Sequence, residues 1–113
     1  MKIVNLNKHV IVVRLVLNGI EEFKTYEPSG MVASVEVKQT VEKFVNGVPC
    51  VKNEYGEVVG LPAPENDTLY LVNALVLERA KSAMGRCDCI APDTGPTAIR
   101  DKGQVIAVVR FVM

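Results

Sequence analysis

Two Asn-Gly dipeptides, Asn18-Gly19 and Asn46-Gly47, each separate runs rich in strand-forming residues. Asn-Gly takes the positive backbone angles of a two-residue turn whose twist matches that of paired strands, so it is a strong hairpin signal. The first dipeptide lies between HVIVVRLVL and EEFKTYEP, the second between MVASVEVKQTVEKF and VPCVKN. Across the third of these runs Val32, Ser34, Glu36 and Lys38 alternate with Ala33, Val35 and Val37, a period of two that fits a strand and not a helix. HVIVVRLVL lacks that alternation, and its continuous apolar character predicts burial on both faces. Pro62 and Pro64 stop regular structure after EVVG.

The period changes over NDTLYLVNALVLERAKSAMG. TLYLV reads as a strand, after which Leu75, Val76, Arg79, Ala80 and Ala83 fall at helical spacing. Asn73 is placed to cap a helix and Gly85 to end it, which predicts a helix from Ala74 to Met84. CDCIA and QVIAVVRFV complete the strands, and the Val-rich first and last strands are expected as the central pair. Residues 1–113 are therefore expected to form one α+β, mainly β domain. It would be an antiparallel or mixed sheet of short hairpin strands with a single helix packed on one face.

Thirteen basic and thirteen acidic residues cancel. A duplex-binding protein needs a basic excess to neutralise phosphates, so a nucleic-acid polymer is not the expected partner. A small anion, which needs only two or three donors, remains open. MKIVNLNKHVIVVRLVL has no cleavage-site pattern and is interrupted by Lys8, His9 and Arg14, so neither a signal peptide nor a membrane span is expected, and the protein is placed in the cytosol. Cys50, Cys87 and Cys89 with the lone His9 are a poor metal set, and the cysteines are read as reduced and buried. On a strand, Cys87 and Cys89 would share one face. With one histidine and no G-x-S-x-G serine, neither a serine nor a cysteine hydrolase is supported. No cofactor and no catalysis are expected.

The remaining candidate is the segment CIAPDTGPTAIRDKGQ, residues 89–104. Asp93 and Thr94 form turns, Gly95 permits unusual backbone angles, Thr97 offers a hydroxyl, and Arg86 and Arg100 flank the stretch. Hydroxyls, free backbone N–H groups and arginines can hold a phosphate; equally, Asp93 can bond its own backbone while Pro92 and Pro96 stiffen a simple loop. Tyr26 and Ser29 in TYEPSG, and Tyr55 in KNEYGEV, supply a possible stacking surface and a donor.

The segments KIVNLNKHVIVV, PSGMVASVEVKQ, YGEVVGLP, TLYLVNALVLERAK and APDTGPTAIR resemble a family of small phage and prophage proteins. The chain departs from that pattern at Ser34, where an arginine is expected. That family has no established activity; among the roles open to a small phage protein without a catalytic constellation, the leading expectation is an anti-defence protein of the host cytoplasm. Such a protein would sequester a signalling nucleotide as a homo-oligomeric sponge, with Arg86, Asp93, Thr94, Thr97 and Arg100 as primary ligands and Tyr26 and Ser29 as secondary ones. Alternatives are an inhibitor that binds a host protein through the edge of VIAVVRFVM, or a minor structural protein of the particle.

Overall fold

The computed structural model describes residues 1–113. In chain order the elements are β1 (Lys2–Asn5), β2 (Ile11–Leu17), β3 (Ile20–Tyr26), β4 (Ser34–Val45), β5 (Val48–Val59), β6 (Thr68–Leu71), α1 (Ala74–Met84), β7 (Cys89–Pro92), β8 (Ile99–Asp101), β9 (Gln104–Ala107) and β10 (Phe111–Val112). The fold is α+β and mainly β, as its turn signals and strand periods predict.

The strand buried on both faces is β6, not β2. Its alternating side chains divide between two cores. Tyr70, followed by Val72, meets Val76, Leu77 and Ala80 of the helix together with Leu6, Cys89 and Ala91. Leu71 meets Ile11 and Val13 of β2, with Ile90 and Val108. Three layers result: helix, sheet, hairpin. The central sheet has the order β1-β6-β7-β10, with β1, β6 and β7 parallel and β10 antiparallel to β7. Two-sided burial belongs to these parallel strands because both of their faces are covered. In β2 only Ile11 and Val13 are buried, whereas Val16 and Leu17 are exposed where the strand runs past the sheet.

The first and last strands occupy opposite edges of this sheet and do not pair with each other. QVIAVVRFV is also not continuous. Its first half is β9, paired with β8, and Val108 then bridges to β2, donating to Val12 O at 2.9 Å and accepting from Arg14 N at 2.8 Å. Only Phe111–Val112 reaches the sheet. Cys89 opens β7 and is buried, while Cys87 precedes it and is exposed, so the two thiols do not share a face.

The helix spans the predicted residues. The Asn73 side chain accepts from Val76 N at 2.9 Å, Gly85 is left-handed (φ 64°), and Arg86 N returns to Ala80 O at 3.0 Å. Both Asn-Gly turns have two successive positive φ angles, 51° and 76° at Asn18-Gly19 and 50° and 78° at Asn46-Gly47. Lys102-Gly103 repeats the geometry (52° and 80°), which turns the second half of the 89–104 segment into a third hairpin.

β4 and β5 form a ribbon of twelve residues per strand that leaves the globule after its first few pairs. The molecule consequently measures 57 × 37 × 23 Å with a radius of gyration of 16.9 Å, against about 13 Å for an ordinary domain of this length. At the root of the ribbon, Gly60 has φ 85°, and a Cβ there would overlap the Val32 carbonyl oxygen.

Asn5 joins the layers. Its amide Nδ2 donates to His9 O at 3.0 Å and Tyr26 O at 2.8 Å, and its Oδ1 accepts from Asn7 N and Asn7 Nδ2 at 2.9 and 3.1 Å. Asn7 Nδ2 donates in turn to Leu71 O at 3.3 Å.

Gly60→Ala is expected to destabilise the protein by ~3 kcal/mol or more, since backbone overlap adds to the cost of a positive φ. Gly103→Ala, where the added methyl meets open space, is expected to cost ~1 kcal/mol. Asn5→Ala removes four hydrogen bonds and leaves the part-buried His9 and Tyr26 carbonyls without this donor, an expected loss of ~2 kcal/mol. Urea unfolding of the three variants checks the ranking.

Candidate functional site

The residues nominated from sequence do not converge. Arg86 precedes β7 and the 93–100 loop follows it, at opposite ends of that strand. The Arg86 guanidinium is bound to Asp88 through two parallel bonds, Nε to Oδ1 and Nη2 to Oδ2, each 2.8 Å. Nη2 also donates to Pro62 O at 2.9 Å, and the group lies 6.0 Å from the centre of the Tyr70 ring, whose hydroxyl donates to Ala63 O at 3.0 Å. Arg86 thus fastens the proline segment after β5 to the start of β7. Its hydrogen bonds hold the Asp88 carboxyl below the ordinary carboxylate range. Burial, with the adjacent Asp88 carboxylate, raises the Cys89 thiol and keeps it protonated.

In the loop, Asp93 Oδ1 accepts from Gly95 N at 3.0 Å and Oδ2 from Arg110 Nε at 2.6 Å. The Arg110 bond is the larger cause of a lowered Asp93 pKa. Arg100 donates to Thr94 O at 2.6 Å and Gly95 O at 3.2 Å. The loop is therefore closed by its own ion pair and its own arginine. Thr97 is exposed beside it. The Thr94 side lines a small groove of about 130 Å³ with His9, Pro92 and apolar residues of β2 and β9. Tyr26 is a packing residue, edge-on to Phe111 with ring centres 5.8 Å apart. Ser29 closes a local turn with Met31 and borders a different depression with Lys2, Glu65 and Tyr70.

A larger groove of about 510 Å³ lies where the β4–β5 ribbon leaves the helix. Its walls are Tyr55, Gly56, Glu57 and Val58 of β5 and Arg79, Ala83 and Met84 of α1. Arg79 Nε is shielded from solvent and has no hydrogen-bond partner. No ion pair joins Arg79 to Glu57. A guanidinium N–H left unsatisfied out of water costs about 1–3 kcal/mol; Nε itself is closed to an incoming group, and the rest of the Arg79 side chain borders the groove. Tyr55 is 45% exposed and presents an aromatic ring in the same groove. Cation, ring and carboxylate can together take an anionic group, a planar base and a sugar hydroxyl. Tyr55 was among the stacking candidates. In the sequence Arg79 falls on the helix face, and an arginine set among Val76, Ala80 and Ala83 is the signal that marks it.

No family model, curated protein or solved structure matches the chain. No helix is long and apolar enough to cross a membrane.

Asp88 and Asp93 are both lowered, so the unfolded chain binds protons first as the pH falls. Their contribution to stability is complete above the ordinary carboxylate pKa of about 4 and disappears as the pH drops through the lowered folded values. Asp88→Asn is expected to flatten the acid limb of a plot of Tm against pH more than Asp93→Asn. The reason is that Arg110 is 61% exposed and its pair is screened by solvent, whereas Arg86 is 11% exposed.

Proposed function

We propose that the protein binds and sequesters an anionic signalling nucleotide without chemical turnover, and that the ligand lies in the groove between α1 and β5. The observation that carries this reading is that Arg79, which joins no ion pair, and the half-exposed Tyr55 line the same groove. Arg79 pairs with phosphate, Tyr55 stacks on the base, and Glu57 accepts from a ribose hydroxyl or a base edge. The groove volume falls within the roughly 300–1,000 Å³ usual for small-molecule sites. The resemblance of YGEVVGLP and APDTGPTAIR to small phage proteins of obscure function is compatible with this role, which would then act in the host cytoplasm as an anti-defence sponge.

The 93–100 loop is a second place for phosphate, since Arg100 and Thr97 are exposed there. Arg100 already bonds two loop carbonyls, which favours the groove. The rival reading, a protein-binding inhibitor acting through β10, is weakened by the length of that edge. Two residues offer few ladder bonds to an added strand.

Thermal-shift and calorimetric titration against a panel of cyclic and linear nucleotides tests the proposal. A bound member is expected to be released intact by heating. Arg79→Ala is expected to weaken it roughly 10- to 100-fold, the value of a charge-assisted hydrogen bond of about 1.5–3 kcal/mol. Loss of binding in Arg100→Ala alone moves the ligand to the loop. A panel with no binder, or a nucleotide recovered as product, overturns sequestration.

A further inference from the structure

One side of the β4–β5 ribbon carries apolar pairs at intervals, interrupted in the middle by Gln39 opposite Asn53. Val37 faces Tyr55, Val41 faces Val51 and, beyond a bulge, Phe44 faces Pro49. Alternation places the first two pairs on one side, continuing the side on which Val35 and Val58 pack against the core. Lys38 opposite Glu54 and Thr40 opposite Lys52 occupy the other side. The apolar side is bare once it leaves the globule: Val37, Val41, Phe44 and Val51 are between 48% and 68% exposed.

We propose that this apolar side packs against another copy of this chain. The area of the molecule carries the choice of occupant. A monomer of 12.3 kDa should expose about 6,100 Å², whereas the chain exposes 7693 Å². The surplus, about 1,600 Å² per chain, is surface the arm presents beyond a compact monomer, more than the roughly 800 Å² per partner that a standard interface takes. A two-stranded ribbon with neither face covered is at best marginal in water, so the arm itself requires a partner. Zero net charge leaves no long-range repulsion between copies. It also leaves no basic excess to draw the arm to acidic lipid or nucleic acid. A two-fold axis beside the ribbon brings identical Val and Phe stripes together and leaves the Lys38–Glu54 side in solvent. Tyr55 stands at the inner end of the stripe, so the second copy also narrows the mouth of the Arg79 groove.

Sedimentation equilibrium over micromolar concentrations, with no nucleotide added, tests this independently of ligand binding. The parent protein is expected at a mass of at least two chains of 12.3 kDa. Val41→Glu and Phe44→Ser are expected to give one-chain masses with unchanged far-ultraviolet circular dichroism. Thr40→Glu, on the polar side, is expected to keep the parent mass. Should Val41→Glu lose its fold, Phe44→Ser near the turn of the ribbon decides. A parent protein that sediments as a single chain, or a folded Phe44→Ser that stays assembled, overturns the proposal.

Discussion

The amide of Asn5 is the interaction on which the layered arrangement depends. Asn5 is 2% exposed and lies at the end of the edge strand β1. From there one side chain satisfies carbonyls of the His9 turn and the end of β3, and receives both donors of Asn7. Its own carbonyl accepts from Ser29 N at 3.0 Å. Between the two asparagines Leu6 points the opposite way and is fully buried against the helix side of the sheet. Three consecutive residues thus hold the hairpin layer, the sheet and the helix layer in register. Polar groups this enclosed specify one arrangement only when each is satisfied, and here each donor and acceptor of the Asn5 side-chain amide has a partner.

What the chain makes legible is local. The turns at Asn18-Gly19 and Asn46-Gly47 and the helix from Asn73 to Gly85 depend on a few neighbouring residues whose backbone preferences are strong, and all three occur where expected. Sheet order was not legible, because it rests on contacts between distant segments. The Val content of the first and last strands suggests a central pair, yet both lie at the edges of the sheet, and TLYL and CIAP hold the centre since the helix connects them as parallel neighbours. Lys102-Gly103 escaped notice because lysine gives a weaker turn signal than asparagine.

The site nominated from sequence shows the same division. Prolines, aspartates and arginines clustered in one stretch suggested a binding loop, but most of their bonding capacity is used internally. Asp93 is taken by Gly95 and Arg110, Arg100 by the loop backbone, and Arg86 by Asp88 and Pro62. Residues rich in hydrogen-bonding groups are as useful for ordering an irregular segment as for holding a ligand. The distinction lies in which groups stay unpaired, and that is a property of the assembled fold. Arg79, on a regular helix and without ornament around it, is where the deficit appears.

The sheet is interrupted in a way that bears on the order of events during synthesis. β1 pairs with β6, and the segment between them contains both longer hairpins. A ribosome therefore delivers the β4–β5 arm before the strand that completes its foundation. Hairpins close within about 1–10 μs, far faster than a chain emerges at about 5–20 residues per second. The arm has time to form while its root is still open. Under the proposed pairing of arms, assembly and folding overlap in time, and the earliest lasting contact a chain makes is with its neighbour.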